Sequence, residues 1–151
     1  MPILSTERHR RPYKQREDAE QRLRDVESLL RTITTMPLHL QTKRMMLNRV
    51  LWLVVELTGN FYCQYRSAGV LRNMGVRIQR DHVFPRKHLV EELLGHEPDF
   101  SSIVKQAQCC VVTHEEHQLL TQVPQDIVGW DRYKQAGVQY HDMLTHVFAE
   151  I

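Results

Sequence analysis

At 151 residues and 42% apolar content, the chain has length for one domain with a real core and is too apolar to stay disordered. Its net charge of +2 hides an asymmetry: residues 1–87 carry 17 Lys and Arg against 8 Asp and Glu, and residues 88–151 carry 3 against 10, so the first part can attract a polyanion or simply the second part. The longest apolar run, "VLWLVVEL" at 50–57, is too short to cross a bilayer, no leader segment is visible, and three cysteines without a CxxC pair form no disulfide framework or zinc ribbon, so a cytoplasmic, reducing setting is expected.

Residues 1–12 read as a flexible basic arm. From Tyr13, apolar residues at Leu23, Val26, Leu29, Leu30 and Ile33 recur at spacings of three and four, which predicts an amphipathic helix closed by Pro37. A second helix is expected over 38–59, apolar nearly all round from Leu47 to Leu57 and therefore central to the core. Residues 60–75 are expected to form a third helix or a helix and turn, stopped by Gly75. The character then changes. "VRIQRDHVF" alternates apolar and polar, which predicts a strand over 76–84 ended by Pro85. Short helices follow over 87–94 and 99–108, then a second strand at 109–112. Thr113 and Glu116 make a capping box for the next helix, which Pro124 breaks. One or two further helices are expected around Gly137. The expected fold class is mainly α with a small β-hairpin. In domain terms that is a basic arm at 1–12, a helical region at 13–75, a core at 76–122 holding a helical insertion, and a C-terminal helical tail at 123–151.

The order strand, insertion, strand, capped helix can gather side chains around one point. Asp81 and His82 fall near the end of the first strand, and His114 and His117 in the first turn of the helix after the second. "RDHVFPRKHL" resembles the first segment of the HNH, or ββα-metal, nucleases, in which an Asp-His pair precedes a proline. "CVVTHEEHQLL" resembles their second segment, an apolar strand leading into a helix that carries the last metal ligand. The resemblance spans 76–122, under half the chain, and is closest to members without zinc ribbons, including the HNH domains of RNA-guided CRISPR nucleases. It implies a ββα-metal core of two short antiparallel strands plus a helix, with a helical N-terminal extension. It also implies a metal-dependent endonuclease hydrolysing phosphodiester bonds in DNA, or in RNA. In that reading His82 is the general base that takes a proton from water, Asp81 and His117 hold the cation, and His114 is a further candidate ligand. A carboxylate with an imidazole suits Mg²⁺, Mn²⁺ or Ni²⁺, with water in the remaining positions. Arg80, Arg86 and Lys87 would bind phosphate, or else stand solvated.

One departure stands out. The family's middle residue is commonly an asparagine, and this chain's Asn48, Asn60 and Asn73 all precede His82. Gln108 is the nearest chemical stand-in for orienting His82, with a backbone carbonyl, His88 or His96 as other options. A zinc site of Cys109 or Cys110 with His114 and His117 is a further alternative. Glu115 and Glu116 suit a helix N-terminus, and Trp130, Tyr133 and Tyr140 suit a packing stripe more than a base-stacking platform. The competing function is a catalytically inactive HNH-like module that binds nucleic acid or a protein. The apolar stripe of 13–35 offers a homodimer seam, and no membrane partner is expected.

Overall fold

Pairing beyond the two expected strands builds a larger sheet. The computed structural model describes residues 1–144, so 145–151, the end of the expected C-terminal helical tail, lie outside the described residues. Strands β1 (Tyr65–Ser67), β2 (Ile78–His82), β3 (Cys109–Thr113) and β4 (Tyr140–Asp142) form one sheet in the order β2-β3-β1-β4. β2 runs antiparallel to β3, with Ile78 opposite Thr113 and His82 opposite Cys109, while β1 is parallel to β3 and antiparallel to β4. Helices α1 (Ala19–Thr35), α2 (Leu40–Leu57), α3 (Ala68–Arg72), α4 (Arg86–Leu93), α5 (Phe100–Gln106), α6 (His114–Thr121) and α7 (Trp130–Ala136) surround it. Among the described residues the fold is therefore mixed α/β, with seven helices and a four-stranded sheet, and not mainly α with a hairpin. β1 and β4, each three residues long, were expected as helix. Neither segment shows alternation long enough to read, and both become strands by pairing with chain that is distant in sequence. No helix among the described residues is long and apolar enough to cross a membrane.

β3 is buried at every position, on both faces, which explains its unbroken "CCVVT" run. On one face Cys109 and Val111 pack with Val55 and Ile78. On the other, Cys110 and Val112 pack with Val83, Leu120 and Tyr133. A separate helical core joins Val26, Leu30 and Ile33 of α1 to Leu47, Leu51 and Val54 of α2 and to Leu89, Leu93 and Ile103. Each such side chain contributes about 1.5–3 kcal/mol by leaving water. Val26, Leu30 and Ile33 of the expected α1 stripe are thus spent inside one chain, while Leu29 stays exposed.

The expected flexible arm is tied down. The Ser5 amide donates to the Val76 carbonyl at 2.8 Å and the Ile78 amide to the Ile3 carbonyl at 2.9 Å, around a bridge between Leu4 and Arg77. A 3-10 turn at Glu7–Arg10 buries His9, whose ring stacks on Tyr62 at 4.7 Å. The buried Arg66 guanidinium donates to the carbonyls of His9 and Arg11 at 2.6 Å each, and to those of Cys63 and Tyr62. Basic composition suggested mobility, yet the arm's backbone supplies acceptors that a buried guanidinium requires. α1 begins at Ala19 and not at Tyr13, because the Tyr13 amide donates to the Met143 carbonyl and holds that stretch out of the helix.

Gly129 fixes where α7 starts. Its backbone, at φ 71° and ψ −152°, lies where L residues are strained, its amide donates to the Val83 carbonyl, and an added Cβ would lie 2.6 Å from the Phe84 ring. Gly129→Ala is therefore expected to destabilise the chain by at least about 2 kcal/mol, seen as a lower denaturant midpoint with an unchanged m value.

Candidate active site

The capping box forms as the sequence predicts. The Glu116 amide donates to Thr113 Oγ1 at 3.1 Å, and the Thr113 amide to Glu116 Oε1 at 2.8 Å. The Ser67 hydroxyl also donates to Glu116 Oε1, at 2.5 Å, which ties the helix start to the end of β1. With the His114 amide bonded to the Arg77 carbonyl, α6 starts beside the beginning of β2 and runs back along it. His114 accordingly lies over Gln79 and His117 over Asp81. His117 Nε2 is 3.8 Å from Asp81 Oδ1. The His114 ring is held by the Gln79 side-chain amide at 2.9 Å and that of Gln118 at 3.2 Å, so it is not brought to Asp81.

Asp81 and His82 project to opposite faces of β2, as adjacent strand residues must. Both nevertheless line one cleft of about 860 Å³, because the strand ends there and the chain turns into α4. Asp81, 3% exposed, faces α6 and α7. Arg132 grips it with two hydrogen bonds, Nη1 to Oδ2 at 2.8 Å and Nη2 to Oδ1 at 3.0 Å, and the Tyr133 hydroxyl donates to Oδ2 at 2.5 Å. Arg132 also reaches the carbonyls of Leu120 and His82.

His82 faces α2. Trp52 meets its ring edge-on at 4.8 Å, and Nδ1 lies 3.7 Å from Cys109 Sγ, which leaves Nε2 as the nitrogen for a proton. Burial pushes the imidazole down to about 4, with Arg86 and Arg80 adding to the fall and Asp81 opposing it. Gln108 does not take the orienting position expected of it. It precedes Cys109, the residue directly opposite His82, and directly opposite residues share a face while their neighbours alternate. Its carbonyl instead accepts from the Val83 amide, and its side chain lines a different cavity with Tyr13 and Thr58. His88 lines another groove beside α6, and His96 is exposed beside Glu97.

Five cationic side chains line the cleft, among apolar and amide groups and Glu91. Arg44 pairs with Glu91 at 2.9 Å, Lys87 lies in the field of the same carboxylate, and Arg132 pairs with Asp81, while Arg80 and Arg86 form no salt bridge there. Arg80 lies over the Phe61 ring at 4.6 Å and bonds the Asn60 side-chain oxygen. Arg86 lies over Trp52 at 4.1 Å, and its Nη1 is buried without a hydrogen-bond partner. Burial lowers its pKa, and the charge of Arg80 adds to that.

Sequence reasoning missed four residues. Asn48, on α2, lines the cleft one helical turn before Trp52, so the asparagine set aside for preceding His82 in sequence stands in the same cleft with it. Cys109 was legible from strand register. Arg132 and Tyr133 carry no local motif, although Arg132 is one of only three basic residues after position 87.

The arrangement does not fit a divalent ion. Both Asp81 oxygens are engaged, the group facing them is already a cation, and only His117 is near. No cluster of three or more His, Cys, Asp or Glu side chains suited to a metal occurs among the described residues. A zinc site fails on other grounds: burial holds the Cys109 and Cys110 thiols far above their usual range, and both ring nitrogens of His114 are engaged by Gln79 and Gln118. Trp130, Tyr133 and Tyr140 do pack together, with Trp130 stacked on Tyr140 at 3.7 Å. In comparisons with known proteins, no family model, curated protein or solved structure matches this chain.

Proposed function

We propose that the chain is a nuclease of the HNH type that hydrolyses phosphodiester bonds in nucleic acid, with His82 activating water. The observation that carries this reading is the convergence of Asp81, His82 and His117 on one cleft that Arg44, Arg80, Arg86, Lys87 and Arg132 also line. The β2–β3–α6 order and the 3.8 Å approach of His117 to Asp81 support it. A backbone phosphate binds beside Arg86, Arg80 and Lys87, which line this cleft. His82 Nε2 takes the proton of a water as its oxygen attacks phosphorus. The basic lining offsets charge on the departing oxygen, which is protonated from solvent.

The second reading is a binding module that keeps this scaffold without cleavage. It is favoured by the weak partner at His82 Nδ1, a thiol, and by the low basicity that burial imposes on the ring. A supercoiled plasmid assay, run in EDTA and with Mg²⁺ or Mn²⁺, separates the two. Nicking by the wild-type chain that disappears in His82→Ala supports the nuclease. Plasmid retained without nicking in every condition supports the module.

A further inference from the structure

We infer that Arg132 holds the place of a cation beside Asp81 and His117, so that phosphoryl oxygens bind this cleft directly and divalent ions stay out while the guanidinium is there. The ligand's source in a nucleic-acid backbone rests on the nuclease reading; the exclusion of divalent ions does not.

Three observations carry the inference. The guanidinium is plane-matched to the carboxylate, one nitrogen to each oxygen at 2.8 and 3.0 Å, and Tyr133 fills a further position on Oδ2. An ion reaching both Asp81 Oδ1 and His117 Nε2 would sit against Nη2 of Arg132, like charge on like. Arg132 is itself fixed: its Nε donates to the Leu120 carbonyl and its Nη1 also to the His82 carbonyl, so α6, α7 and β2 hold it jointly. Of its five N–H groups, four have these partners, and the one left is on Nη2. Arg86, whose Nη1 is buried without a partner, lines the same cleft. Two guanidinium groups and the His117 imidazole thus line the same cleft. That set suits a phosphoryl group, whose oxygens accept hydrogen bonds, and offers a divalent ion a single free nitrogen.

The test follows histidine side-chain NMR signals of the whole chain. In the wild type, one equivalent of Mn²⁺ is expected to leave the His117 and His82 signals sharp, while inorganic pyrophosphate or a short oligothymidylate in EDTA shifts both. In Arg132→Met, Mn²⁺ broadens the His117 signal, and adding Asp81→Asn removes the broadening. Arg132→Lys keeps the charge, so Mn²⁺ stays out. If Arg132→Met does not fold, the wild-type titrations decide. Mn²⁺ broadening of His117 in the wild type, or phosphoryl shifts that appear only with Mg²⁺, overturns the inference. Shifts in EDTA and sharp signals in Mn²⁺ with no plasmid nicking uphold it and overturn the nuclease reading alone.

Discussion

Arg132→Met is expected to lower the unfolding free energy by about 3–5 kcal/mol. The pair it breaks is buried on both sides, with 13% and 4% of the Arg132 and Asp81 side chains exposed. An exposed pair at the same distance would contribute about 1 kcal/mol or less. Here the carboxylate survives the mutation with only Tyr133 donating to it and water largely shut out, so the cost is that of an uncompensated buried charge more than of a lost attraction. Asp81→Asn in the same background removes the charge and keeps a partner for the Tyr133 hydroxyl. The double variant should therefore lose less than the sum of the singles, with a coupling of about 0.5–3 kcal/mol. Urea denaturation of the four proteins measures this. A loss under about 1 kcal/mol for Arg132→Met would mean that Asp81 is not held as a buried ion.

His82→Ala is expected to lower plasmid cleavage by about 10²–10⁴-fold, the range that a general base supplies. The pH dependence is the more specific signature. With its pKa lowered to about 4 from the ordinary 6.5, His82 remains neutral through the neutral range, so the acid limb of kcat/KM should fall near pH 4. A limb near 6.5 would mean a solvated imidazole. The same depression affects stability with a definite sign. The unfolded chain binds a proton at His82 below pH 6.5, whereas the folded chain resists until about 4. Stability contributed by the neutral ring is whole above 6.5 and is lost as pH falls towards 4, by on the order of 3 kcal/mol. Replacing His82 with glutamine removes that part of the slope, which thermal unfolding at pH 7 and pH 4.5 can read.

Local chemistry was enough for several elements. The alternation at Ile78 to His82, the unbroken apolar run of β3 and the Thr113–Glu116 box all lie within a few residues of chain, and each formed where expected. The box also places α6 with His117 one turn in, and strand register alone would have pointed to Cys109 and away from Gln108 as the neighbour of His82. The remaining features depend on distant partners. Tyr65–Ser67 carries little strand pattern of its own and becomes an inner strand only because β3 and β4 flank it. The N-terminal arm is ordered by Arg66, more than fifty residues away, because that guanidinium has been taken out of water and needs acceptors.

The sequence by itself determined the periodic elements, the segregation of charge and the presence of an Asp-His pair at a strand end followed by a histidine-bearing capped helix, since backbone geometry, burial of apolar surface and capping act over short spans. Tertiary structure alone decided that Asp81 meets Arg132 and Tyr133, that Asn48 reaches the cleft from α2 while Trp52 of the same helix meets His82, and that His114 is held away from the cleft by glutamines. Those outcomes depend on which helices cover each face of β2 and on a buried carboxylate taking the nearest cation, and neither fact is written in the residues around Asp81.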